Sequence, residues 1–144
     1  MASTMPTWIF FALLSAFFAG LVTIFGKIGV QGVDTTLATT IRSMFVTGFL
    51  VLTSLALGKV SLIGTIDKKA LLFLSLSGIA GALSWLAYFI ALKQGPATPV
   101  AAIDRTSVVF VLLFSVLFLS EQLTWKSGLG AGFVALGAVI LTWK

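Results

Sequence analysis

The sequence predicts an all-α, polytopic integral membrane protein, a bundle of five transmembrane helices. Hydrophobic residues make up 59% of the 144 residues and charged residues only 9%, against about 45–50% and about 25% in soluble chains. The apolar residues come in long runs, and a helix rising about 1.5 Å per residue needs roughly 20 of them to cross a hydrocarbon core of about 30 Å. Charges and turn-forming residues cut the chain into five such runs, near 8–30, 35–57, 70–92, 97–119 and 123–143, all within one transmembrane domain, 1–144.

Each boundary has a local cause. Met1 to Trp8 holds no Lys or Arg, and the following run stays uncharged to Gly26. A secretory signal has a basic start and an apolar core of about 7–15 residues, so the expectation is a retained first span and no cleaved signal peptide. Gln31-Gly-Val-Asp34 closes that span and opens the second. The segment from Gly58 to Lys69 is the one connection with any room. Lys93-Gln-Gly-Pro96 and Ser120-Glu-Gln122 are tight turns, and Glu121 suits the N-terminus of the last helix. Short connections make consecutive helices antiparallel neighbours. Trp125 and Trp143 stand roughly 27 Å apart along a helix, which suits one indole at each interface, with Trp8 doing the same for the first span. Lys27 is expected to cap the end of span one.

Several function classes drop out. The chain has no Cys and no His, which removes disulfides, thiolate chemistry and most zinc sites. Gly20 to Lys27 resembles a phosphate-binding loop, but it has one residue too many between its glycines and Ile28 where Ser or Thr must hold magnesium. No two carboxylates lie close in sequence, so neither an enzyme nor a cofactor is expected. The net charge of +5 is scattered singly between apolar runs, and no nucleic-acid partner is expected.

Lys59, Lys68, Lys69 and Lys126 fall on the N-terminal side of the membrane. Lys27, Lys93 and Lys144 fall on the other, with Arg42 and Arg105 leaning towards them. The near-balance gives the positive-inside rule nothing to choose between, which raises insertion in both orientations.

Ionisable residues inside a span mark functional sites by default. Asp104 and Arg105 lie in span four, roughly 13 Å of rise beyond Gly95; Arg42 lies roughly 12 Å past Asp34 in span two. Trp85 and Tyr88 occupy the same half of span three. Ser107, Val111 and Ser115 continue a stripe from Asp104, and Thr36, Thr39, Thr40, Ser43 and Thr47 form a second one on span two. The candidate substrate-binding residues are therefore Asp104, Arg105, Arg42, Trp85, Tyr88 and Ser107, lining a cavity between spans two, three and four. Two arginines against one aspartate favour an anion or a zwitterion. Plainer roles stay open. Adjacent helical residues point about 100° apart, so Asp104 and Arg105 should each need a partner elsewhere, with Arg42 the natural one for Asp104. Arg42 could instead snorkel to the interface, and Trp85 and Tyr88 could simply pack. In span five, Gly128, Gly132 and Ala135 share a face that permits close helix approach, either within the chain or as a dimer seam.

The segment from Ala91 to Asp104, then Leu117-Phe-Leu-Ser-Glu-Gln-Leu123, then the glycine-spaced run from Gly128 to Leu141 resemble the C-terminal part of an EamA domain of the drug/metabolite transporter superfamily. That resemblance implies an exporter of a small polar or amphipathic metabolite, working by alternating access in the cytoplasmic (inner) membrane. Most members of the family pair two inverted domains, and such repeats place the site near the midplane between them. One domain alone implies a homodimer, preferably antiparallel. A flippase for a lipid-linked phosphate and a non-transporting accessory subunit are the alternatives.

Overall fold

The protein is described by a computed structural model covering residues 6–143. The helices are α1 (Thr7–Gly29), α2 (Thr35–Ala56), α3 (Lys68–Gln94), α4 (Ala97–Arg105), α5 (Ser107–Leu119) and α6 (Trp125–Thr142), with a 3₁₀ segment, Lys59–Thr65, between α2 and α3. No strand occurs among the described residues. Five stretches are long and apolar enough to cross a membrane, α4 and α5 together forming the fourth. The readings placed on the first five residues and on Lys144 lie outside the described residues.

The caps explain the boundaries. Asp34 sits in extended conformation and its carboxylate accepts from the Leu37 N–H, so α2 starts at Thr35 as expected. Gly58 is left-handed (φ 65°) and turns the chain out of α2. Asp67 accepts from the Ala70 N–H, so α3 begins at Lys68, earlier than the apolar run itself. It continues to Gln94, stopping only where Gly95-Pro96 cannot continue it. Ser120 is left-handed (φ 54°) and the Glu121 N–H returns to the Ser115 carbonyl, ending α5. Glu121 does not cap the last helix. α6 begins only at Trp125, where the Thr124 side chain accepts from the Ser127 N–H and the Ser127 hydroxyl accepts in return from the Thr124 N–H.

Span four is not one unbroken helix. The Thr106 N–H and hydroxyl both donate to the Ile103 carbonyl, at 2.9 and 2.6 Å. That three-residue closure tightens the ladder and separates α4 from α5. A threonine can do this because its hydroxyl competes for the carbonyls of the preceding turn.

The chain forms two compact units, one taking in α1 to Lys27 with everything from Gln94 onward, the other Ile28–Lys93. In the first, α6 packs on α4 and α5, and the unit's buried residues are small: Ala131 and Ala138, with Ser115 of α5 and Thr23 of α1. Small side chains let helix backbones approach where lipid offers no hydrophobic drive. In the second, the 3₁₀ segment folds against α2; Val30 and Leu92 are fully buried, and Phe89 and Thr39 are buried too. Most other large apolar side chains are exposed, among them Phe45 (76%) and Phe118 (80%). In water such a surface would aggregate; in lipid it is the solvated face. Trp125 and Trp143 flank α6 at 81% exposure, so neither is used for packing within the chain.

A lysine braces each unit. The Lys27 ammonium, in the last turn of α1, donates to the Gly95 carbonyl at 2.8 Å. Instead of only capping its own helix, it ties α1 to the turn that launches α4. In the other unit the Lys93 ammonium donates to the Val33 carbonyl at 2.7 Å, tying the end of α3 to the turn before α2. A hydrogen bond from a charged donor contributes about 1.5–3 kcal/mol. Lys27→Met keeps the stem and removes the donor, so its thermal midpoint in mild detergent should fall, while Lys27→Arg should recover most of the loss.

Candidate functional site

Arg42 is carried on α2, one turn beyond the buried Thr39, and points its guanidinium at α3. Its Cζ lies 4.1 Å from the centre of the Trp85 ring and 6.0 Å from that of Phe89. Trp85 and Phe89 are four residues apart on α3 and so share a face, forming an aromatic floor beneath the charge. Tyr88 is half-buried beside it, edge-on to Phe89 at 6.5 Å. Phe89 was missing from the residues picked out by sequence; its spacing from Trp85 was the available signal, and its lack of polarity hid it.

The guanidinium is half-buried, and its Nη1 has no hydrogen-bond partner among the described residues. A cation over an indole gains about 0.5–2 kcal/mol. That interaction leaves the in-plane N–H donors unmatched, and a buried unmatched donor costs about 1–3 kcal/mol. The planar fork fits a carboxylate or phosphate through two parallel hydrogen bonds.

The other three candidates lie in the first unit. Arg105 Nη1 is 3.9 Å from Asp104 Oδ2, a direct contact between neighbours where separate partners were expected. The two end α4 next to the Thr106 closure, and the long arginine stem swings back across the 100° between neighbours. The contact is loose, with the arginine side chain 55% and the aspartate 34% exposed. Ser107 is exposed at the start of α5. The six residues thus form two groups of three, each within its own unit.

Four hydroxyls of the two stripes are already engaged as donors. Thr39, Thr40 and Ser43 donate to the carbonyls of Thr35, Thr36 and Thr39 at 2.8–2.9 Å, and Ser115 donates to Leu112 at 3.1 Å. Away from water a hydroxyl is satisfied most easily by its own helix. These residues can still accept.

Open apolar grooves run along helix faces, and the two largest among the described residues contain none of the six. One, of about 620 Å³, follows Ile41, Met44, Phe45, Gly48, Phe49 and Leu52 of α2. The other, of about 530 Å³, follows α6 past Gly128 and Gly132. A Cβ placed on either of those glycines meets nothing within 4 Å. The inward face of α6 is instead Ala131 and Ala138, with Ala135 half-buried between the two faces. Among the described residues no cluster of acidic side chains could hold a metal ion.

Five apolar spans with charges and aromatic rings inside them define a multi-pass integral membrane protein. The chain belongs to the EamA-like transporter family, which it matches over residues 6–143. It is similar to a Sinorhizobium sp. protein called "Uncharacterized transporter in cobO 3'region", at 44% identity over 135 residues, covering 94% of this chain and 96% of that one. No solved structure matches it. The protein is thus a membrane transporter, in contact with lipid and handling a small molecule, and its family points away from enzymatic chemistry.

The open glycines carry a prediction. Gly132→Leu keeps α6 helical and its Cβ meets nothing within 4 Å, so helicity and thermal midpoint should hold, and if this face is a seam between copies the dimer fraction in mild detergent should fall. An unchanged oligomer would remove this face as a seam.

Proposed function

We propose that the protein exports a small polar or amphipathic metabolite carrying a carboxylate or phosphate, as an anion or zwitterion, by alternating access in the inner membrane. The observation that supports this most is the Arg42 guanidinium laid on Trp85 with Nη1 unmatched. An incoming oxyanion would satisfy that group without breaking an existing hydrogen bond, so the binding energy need not offset the loss of a prior partner. Trp85, Tyr88 and Phe89 would meet the apolar part of the substrate. Asp104, Arg105 and Ser107 are a second candidate group within the first unit, where the loose ion pair leaves both charges accessible.

The test is a thermal-shift screen of purified protein against carboxylates, phosphates, zwitterions and organic cations, followed by proteoliposome flux of whatever binds. Oxyanions should stabilise the protein and cations should not. Arg42→Gln should lower flux roughly tenfold to a hundredfold, the loss of a charge-assisted hydrogen bond, and Arg42→Lys should restore only part, lacking the fork. Asp104→Asn and Arg105→Gln should fold normally and lose flux. If they lose stability instead, and substrate does not rescue it, the pair is a structural brace. Preferential binding of cations would overturn the charge assignment.

A second reading has one specific observation behind it. The apolar groove on α2 starts at Ile41, next to Arg42, and would suit a lipid-linked phosphate, its head at the arginine and its tail along the groove. Flux of a water-soluble anion would exclude it; a fully packed, ligand-free interior would favour an accessory subunit.

For assembly we infer an antiparallel homodimer. The lysines and arginines are near balance across an odd number of spans, and the Sinorhizobium relative is matched over nearly its whole length by this one domain. A Ser61→Cys variant, its thiol in the exposed segment between α2 and α3, should be labelled partially from each face of intact cells. Labelling from a single face would require a parallel or hetero-oligomeric assembly.

A further inference from the structure

We infer that the segment between α2 and α3 is a clamp for an anionic phospholipid. The segment runs from the end of one span to the start of the next, so both its ends lie on one side of the membrane. Lys59 stands at its beginning, and Lys68 and Lys69 at its end. All three are exposed, and none of their ammonium groups is paired among the described residues. Asp67, the one acid between them, has its carboxylate engaged with the Ala70 N–H at the start of α3. The Ser61 and Thr65 hydroxyls are closed onto the Gly58 and Leu62 carbonyls. Three unpaired positive charges therefore dominate the rim.

Between the lysines the segment is apolar and unburied: Leu62 is 50% exposed and Ile63 64%. In a 3₁₀ helix residues three apart eclipse, so Val60 and Ile63 fall on one face. That face lines an open groove of about 380 Å³ with Leu50, Val51, Ser54 and Leu55 of α2. Apolar residues between flanking lysines lie at the depth where headgroups meet acyl chains. Charge complementarity names the occupant. An anionic headgroup sits at the lysines, and one acyl chain lies in the groove below.

The test is native mass spectrometry of the full chain in mild detergent with equal amounts of phosphatidylglycerol and phosphatidylcholine of identical acyl composition. Each lysine near an anionic headgroup corresponds to roughly a fivefold preference. The wild type should retain phosphatidylglycerol well above phosphatidylcholine. Lys59→Gln alone should cut the ratio about fivefold, and the triple variant Lys59→Gln, Lys68→Gln, Lys69→Gln should bring it near one. Circular dichroism should show unchanged helicity, as these side chains are exposed. Val60→Ser with Ile63→Ser should keep the headgroup preference and reduce the total lipid retained. Equal retention of the two lipids by the wild type would overturn the clamp. So would a preference that survives in the triple variant, which would place the lipid elsewhere or leave the groove to a second copy of the chain. Unchanged total retention in the serine variant would remove the acyl groove.

Discussion

Polar groups inside the spans have to be satisfied without help from water, and that constraint orders the rest. A backbone or side-chain donor left alone in hydrocarbon costs several kcal/mol. The hydroxyls of Thr39, Thr40, Ser43 and Ser115 accordingly turn back onto their own helices. Lys27 and Lys93 reach carbonyls in the turns beside Pro96 and Asp34, where the ladder leaves acceptors free. Against that background of closed donors, the unmatched Nη1 of Arg42 stands out. It is held in place by a ring face, an interaction that orients the cation without occupying its hydrogen-bonding edge.

The same constraint bears on span four. A continuous helix would use all its own carbonyls. The Thr106 closure puts two donors on the Ile103 carbonyl, and the charged pair Asp104–Arg105 lies immediately before it. Irregular backbone at membrane depth is tolerated where it is buried in protein or lines a cavity. The charges and the break thus fall together in the stretch of the spans least suited to plain lipid contact.

Span five packs inward through alanines. Ala131 and Ala138 meet the rest of the first unit, while Gly128 and Gly132 open outward onto a groove. Inward packing therefore does not account for those glycines.

How much of this was legible in the residues follows from range. Span number, helix type and the Asp34 boundary depend on composition and on capping within three or four residues, so the sequence determined them alone. Arg42 and Trp85 could be singled out as unusual for a lipid environment, but they are 43 positions apart, and only tertiary structure could lay one on the other and add Phe89 to the floor. The pairing of Asp104 with Arg105 went against helical geometry, because helical spacing describes Cβ directions and not where a long arginine stem can swing. The Lys27 and Lys93 braces join residues 68 and 60 apart, and no local pattern encodes which carbonyl each ammonium reaches. The stripe of Gly128, Gly132 and Ala135 on α6 was visible in sequence, yet the face turned towards α4 and α5 is that of Ala131 and Ala138, because helical periodicity groups residues into faces and says nothing about which face a neighbour will cover.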